Sequence, residues 1–184
     1  MIMQERLATL PLIEAALWQE LGRATHDSQH EWHTPVLATT DGTAGDARIV
    51  VLREVDLEAQ RLVCYSDSRA PKLAQLRCHP QGTLVMWSRQ LSWQLRAHVR
   101  FEIETDGLAA SSRWTRLKLS PAAQDYLATM PPGAPLGAAV AARGERAHFA
   151  VLTASVITID WLELHPEGHR RAVFQDGAAR WIQP

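Results

Sequence analysis

The apolar positions along this chain change their period twice. Residues 10–24, LPLIEAALWQELGRA, set Leu12, Ile13, Ala16 and Leu21 at helical spacing, with Pro11 in a first turn where its missing N–H costs nothing. The stretch THDSQHEWHTP that follows is polar and predicts a loop. Beyond it the period shortens. PVLATT, the turn-rich DGTAGD and ARIVVLREVD read as β-type runs and their turn, and RLVCYSD and TLVMWS read as two more around a short helical segment, PKLAQLRCH. The clearest strand is 92–104, where Ser92, Gln94, Arg96, His98, Arg100, Glu102 and Glu104 alternate without a break against Trp93, Leu95, Ala97, Val99, Phe101 and Ile103. That pattern predicts a half-buried antiparallel strand with one wet face. Residues 108–130 predict one or two helices, the second opening with Ser120 as N-cap and Pro121. PPGAPLGAAVAARGER reads as a loop or a loosely helical excursion. The chain then returns to β signals in AHFAVLTASVITIDWLEL, RRAVFQD and ARWIQP, the last pair joined by the hairpin turn Asp176-Gly177.

Many short strands with a few segregated helices predict a mainly β fold, a closed antiparallel barrel with helices at its periphery, since closure removes exposed edges. No repeat or linker interrupts the pattern, so residues 1–184 are expected to form a single domain. Composition narrows the function classes. A formal net charge of -1 gives no electrostatic basis for binding nucleic acid, whose partners neutralise many phosphates. No apolar run is long enough to cross a bilayer, and acidic residues inside the first apolar stretch argue against a signal peptide, so a cytoplasmic protein is the simplest expectation. Cys64 and Cys78 stand in no zinc or disulfide spacing. His26, His30 and His33 are close in sequence but have no Cys or carboxylate partner placed for them, so no metal site is expected, and the segment reads as a solvated entry loop. Seven Trp are many for 184 residues, suited either to the core or to packing on flat ligands and subunits.

Two cationic clusters carry candidate chemistry. Residues 48–53 read Arg-Ile-Val-Val-Leu-Arg, and each guanidinium needs water or an anion. Their odd separation puts Arg48 and Arg53 on opposite faces of a regular strand, and by themselves they fit an edge strand equally well. The second cluster, Tyr65-Ser66-Asp67-Ser68-Arg69-Ala70-Pro71-Lys72, ends a strand and opens a helix. Free N–H groups, a positive dipole end and the cations Arg69 and Lys72 make such a junction a phosphate site. It lacks the glycines of a P-loop or a Rossmann turn.

The order R-x-V-V-L-R, strand, Y-S-x-x-R-x-x-K, helix, H-P, a strand ending in Trp87, then W-Q-L resembles the flavin mononucleotide (FMN)-binding half of the pyridoxamine 5'-phosphate oxidase-like proteins. Ile159-Asp160-Trp161 followed by His169-Arg170-Arg171 is similar to that family's closing W…H-x-R signature, and the likeness runs from about Val36 to Pro184. It implies a Greek-key FMN-binding split barrel and a homodimer with FMN across its two-fold interface. The segment Arg48, Ile49, Val50, Val51, Leu52 and Arg53 would line the cofactor. Arg48, Arg69 and Lys72 would hold its phosphate, and Tyr65 and Ser66 the phosphate or ribityl region. Gln94 would meet the flavin ring, and Trp161 and Arg171 would come from the partner subunit. Arg53, Tyr126 and His169 are the candidates for a substrate pocket. The family's oxidases hold pyridoxamine phosphate with residues that are replaced here by Met130, Ala134 and Glu167. The expected activity is therefore an FMN-dependent oxidoreductase on a different small molecule. The alternatives are a non-catalytic FMN store or sensor, or a split barrel that holds a deazaflavin or haem.

Overall fold

The computed structural model of the chain describes residues 6–135 and 148–184. The strands are β1 (Val36–Thr40), β2 (Gly45–Ile49), β3 (Leu52–Asp56), β4 (Arg61–Asp67), β5 (Gln81–Ser88), β6 (Trp93–Glu104), β7 (Phe149–Glu163), β8 (Arg170–Gln175) and β9 (Ala178–Ile182). All of them pair antiparallel in one sheet, in the order β2-β1-β5-β6-β7-β4-β3, with β8 and β9 added on β7. The helices are α1 (Leu10–His26), α2 (Pro71–Cys78) and α3 (Gly107–Leu117), with a 3₁₀ turn at Pro121–Tyr126. Most of the expected Gly/Pro/Ala-rich excursion lies outside the described residues.

The expected closed barrel needs correction. Among the described residues no ladder joins β2 to β3, the two ends of the main path. Only Val50 and Val51 separate Ile49 from Leu52, so the chain itself brings those ends within roughly 10 Å. The backbone there is spent elsewhere: Val50 N–H donates to Pro35 O and Leu52 N–H to His33 O, both at 2.9 Å. The sheet is thus rolled up, and its seam is bridged by the 33–35 segment rather than by a strand pair. A bulge follows at once, because Leu52 pairs with Cys64 but Glu54 with Val63, leaving Arg53 as the extra residue. Break and bulge together cancel the parity argument for Arg48 and Arg53.

The inner face holds the fold. The row Leu37, Leu84, Ala97, Ile159 and Phe174 runs across five strands and is buried throughout. Each fully enclosed Leu removes enough apolar surface from water to contribute about 1.5–3 kcal/mol. β6 alternates buried and more exposed residues from Trp93 to Glu102, as its sequence predicts. Gly82 on β5 lets β1 come close, since a Cβ there would lie 2.9 Å from Ala38 O and 3.1 Å from the Phe101 ring. Asp176 (φ 51°) and Gly177 (φ 72°) form the expected tight turn between β8 and β9.

α1 buries Ile13, Leu17, Trp18, Leu21 and Ala24 and leaves Leu12 exposed, so its apolar face is rotated from the one the sequence suggested. The polar segment after α1 also holds a surprise in Trp32, fully enclosed beneath it. Its histidines are committed within the chain: His30 Nε2 pairs with Glu20 Oε2 at 2.9 Å, and His33 Nδ1 lies 2.7 Å from Ala24 O. The 3₁₀ turn starts at Pro121 as expected, but the Ser120 hydroxyl donates back to Leu117 O and caps nothing.

Candidate functional site

The cationic corner is built where α2 packs against the seam of the sheet. Ala70 occupies the N-cap of α2, Pro71 follows it, and no side chain caps the first turn. The Asp67 carboxylate stays in the loop before the helix, where it accepts from Arg69 N–H at 2.8 Å. Pro71 has no N–H and Leu73 N–H donates to Ala70 O at 2.9 Å, which leaves Lys72 N–H and the positive end of the dipole for another acceptor. Lys72 sits in that turn, half-buried, and among the described residues no carboxylate lies within ion-pair distance of it. Burial first, and the Arg48 charge second, hold its ammonium below the usual lysine range.

The arginines around Lys72 are not equally available. Arg48 lies on the inner row beside Leu37; it donates to Thr39 Oγ1 at 2.5 Å and Gln75 Oε1 at 3.1 Å, and it pairs with the exposed Asp46. Exposed pairs contribute little and exchange partners readily. Arg69 is held far more firmly. Nε and Nη2 donate to the buried Asp67 carboxylate at 3.0 and 2.7 Å, and the terminal nitrogens donate to the carbonyls of Ala128, Thr129 and Met130 at 2.8–3.3 Å. Its guanidinium ties the 128–130 segment to the end of β4. Arg53, re-aimed by the bulge, has a buried Nε with no hydrogen-bond partner. Its guanidinium lies 5.8 Å from the centre of the Tyr65 ring. Burial pushes the Tyr126 hydroxyl and the Cys64 thiol up, the latter to about 12, while Arg53 beside both works in the opposite direction.

The other expected residues fall in different places. Ser66 is buried and donates to Asp67 O at 3.2 Å. Tyr65 faces outward, donating its hydroxyl to Glu54 Oε1 at 2.7 Å beside the bidentate Arg113. Within the 49–52 segment Ile49 is 68% exposed, Val51 half-buried, and Val50 and Leu52 buried. Gln94 lies on the outer face in a row Trp87–Gln94–Leu162–Arg171 across β5, β6, β7 and β8. Arg171 binds Asp160 through Nε and Nη2 at 3.0 and 2.7 Å, and Arg96 joins the same carboxylate. Desolvation raises Asp160, yet the two arginines outweigh it and hold the carboxyl below its ordinary range. Trp161 stands apart: its ring is fully enclosed inside the sheet against Trp93 and Trp181, so it is not presented to another subunit.

Within one chain these residues form two groups rather than one. Lys72, Arg48 and Arg53 gather at the seam, with Tyr126 near the start of β7. Gln94, Arg171 and the exposed His169 lie toward its other end, where Gln94 pairs with Leu162 and Leu162 with Arg171. The outer face between them is apolar and open: Ile49, Val36 and Trp87 are 68%, 37% and 43% exposed, and Val85 lies in the same row as Val36. A groove of about 510 Å³ lined by Thr39, Thr83, His98 and Ile157 runs alongside. The sequence named the cations but missed their partners Asp46, Gln75 and Thr39.

No family model matches the sequence, and no curated protein matches it. Solved structures do. The chain is similar to a pyridoxamine 5'-phosphate oxidase-related, FMN-binding protein from Nostoc punctiforme, with a TM-score of 0.75 at 18% identity over 97% of this chain and 100% of that one. It is also similar to PhzG from Burkholderia lata, solved in complex with tetrahydrophenazine-1-carboxylic acid, with a TM-score of 0.73 at 14% identity over 95% and 92% of the two chains. A heme-binding protein from Mycobacterium smegmatis matches with a TM-score of 0.55 at 14% identity, over 94% of this chain and 60% of that one.

Proposed function

From a chain that shares the fold of pyridoxamine 5'-phosphate oxidase-related proteins, we propose that it binds FMN and acts as an FMN-dependent oxidoreductase on a small molecule other than pyridoxamine phosphate. The observation that carries this reading is Lys72, a half-buried ammonium without a carboxylate partner among the described residues, in the uncapped first turn of α2. A phosphate there gains a point charge, the Lys72 backbone N–H and the helix dipole together. Arg48 reaches the same phosphate by giving up its exposed pair with Asp46. Arg69 contributes by fixing the loop rather than by free donors. When bound, FMN supplies the hydride chemistry, and the protein supplies orientation and shelter.

Substrate recognition falls to Arg53 and Tyr126, with His169. The unpartnered Arg53 Nε suits an anionic or acceptor-rich substrate. Met130 and Ala134 offer neither a guanidinium nor a hydroxyl, and Glu167 would repel a phosphate dianion. The two-group layout supports a homodimer in which Gln94 and Arg171 of one copy complete the corner begun by Lys72 of the other, the open apolar row being covered in the process. Titration of the purified protein with FMN, by flavin fluorescence and light scattering together, is expected to give one FMN per chain and the mass of two chains. Pyridoxamine phosphate is expected to stay unoxidised. A protein that leaves FMN unbound overturns the cofactor, and a monomer that binds it fully overturns the shared site.

A further inference from the structure

Four of the seven tryptophans form a continuous line. Trp32 and Trp93 have ring centres 6.5 Å apart, Trp93 and Trp161 5.4 Å, and Trp161 and Trp181 6.2 Å. The line starts from rings that are enclosed, Trp32 at 0% and Trp93 at 7% exposure, passes Trp161 at 0%, and ends on β9 at Trp181, which is 46% exposed. The indole N–H of Trp32 and that of Trp161 are buried with no hydrogen-bond partner. The Trp93 N–H points at Glu163 Oε1 at 3.4 Å. Arg170 lies 5.7 Å from both the Trp161 and the Trp181 ring centres, and it shares the Glu163 carboxylate, which it binds at 2.8 and 3.0 Å, with Arg6.

A positive hole on an indole ring is least stable where nothing solvates it and most stable where a carboxylate or water can. It is therefore disfavoured on Trp32 and Trp161, whose buried N–H groups have no acceptor, and favoured at Trp181, where water is present. We propose that Trp32, Trp93, Trp161 and Trp181 form a one-electron relay that carries an oxidising equivalent from the interior of the sheet to solvent at β9. The oxidant is a one-electron acceptor, a photoexcited flavin or an oxygen-derived radical, and it is reduced by the electron taken from a buried ring. Each ring then refills its inner neighbour, until Trp181 lacks one electron and loses its indole N–H proton to water. A thiol in solution restores Trp181 by giving it a hydrogen atom, and the thiyl radical is left in the solvent. The relay stands without any bound cofactor, since the line lies wholly within one chain.

The test places the hole at the buried end. A ruthenium polypyridyl sensitiser is attached to the Gln29→Cys variant, three residues from Trp32, with the exposed Cys78 changed to Ser. Flash-quench oxidation is followed by transient absorption and electron paramagnetic resonance. The expected product is a neutral tryptophan radical that responds to D₂O within the mixing time, with oxidation mapped by mass spectrometry to Trp181. Trp181→Phe, at an exposed position, is expected to leave the radical on buried rings, longer-lived and without the D₂O response. Trp161→Phe is expected to lower the yield at Trp181 at least tenfold. An unchanged Trp181 yield in Trp161→Phe, or a radical in the parent that never reaches Trp181, overturns the relay. Because FMN is absent from the experiment, this outcome is separate from that of the cofactor reading.

Discussion

At the scale of single residues, the site is decided by which cations are already spoken for. Arg69 looks in sequence like a phosphate ligand, yet its donors meet Asp67 and three carbonyls. Among the described residues, Lys72 has no such carboxylate partner. That difference has a pH signature. Burial and the nearby Arg48 hold Lys72 below the usual lysine range in the free protein, whereas a bound phosphate favours the charged form. FMN binding therefore requires proton uptake once pH exceeds the depressed value, and affinity should fall as pH rises through it. Lys72→Arg should abolish that fall, because a guanidinium stays protonated across the range. Isothermal titration at several pH values measures both; a flat profile in the parent protein would show that Lys72 does not meet the phosphate.

At the scale of elements, the sequence was most informative where a periodic signal had one cause. The unbroken alternation at 92–104 became β6, and Asp176-Gly177 became a turn with both residues at positive φ. It was least informative where a partner far away in the chain decides. Nothing local shows that the 33–35 segment takes the N–H groups of Val50 and Leu52, breaking one expected strand into β2 and β3 and turning Arg53 into a bulge residue. Trp32 lay hidden in a polar run because one apolar residue makes no period. Likewise the alternation placed Gln94 on the outer face but could not show that Trp161, matched by motif, would be enclosed. Gly82 gives this level its own prediction. Gly82→Ala brings a methyl to 2.9 Å from Ala38 O, forcing β1 from β5, and overpacking of this kind costs about 1–3 kcal/mol. Chemical denaturation should show that loss; a midpoint equal to the parent's would mean that the strands separate freely there.

At the scale of the whole molecule, a rolled sheet offers one cationic corner at its seam and a row containing Gln94 and Arg171 on its outer face. In the proposed homodimer, a two-fold copy brings them around one flat ligand. In the proposed function, Lys72 and the first turn of α2 grip the phosphate of FMN. The most direct measurement compares FMN with riboflavin, which lacks only that phosphate, in the parent protein and in Lys72→Ala. The parent should bind FMN more tightly than riboflavin. Lys72→Ala should weaken FMN by about 1.5–3 kcal/mol, the worth of a hydrogen bond to a charged group, while leaving riboflavin unchanged. Equal affinities for the two flavins in the parent, or an equal loss of both in the variant, would contradict the account.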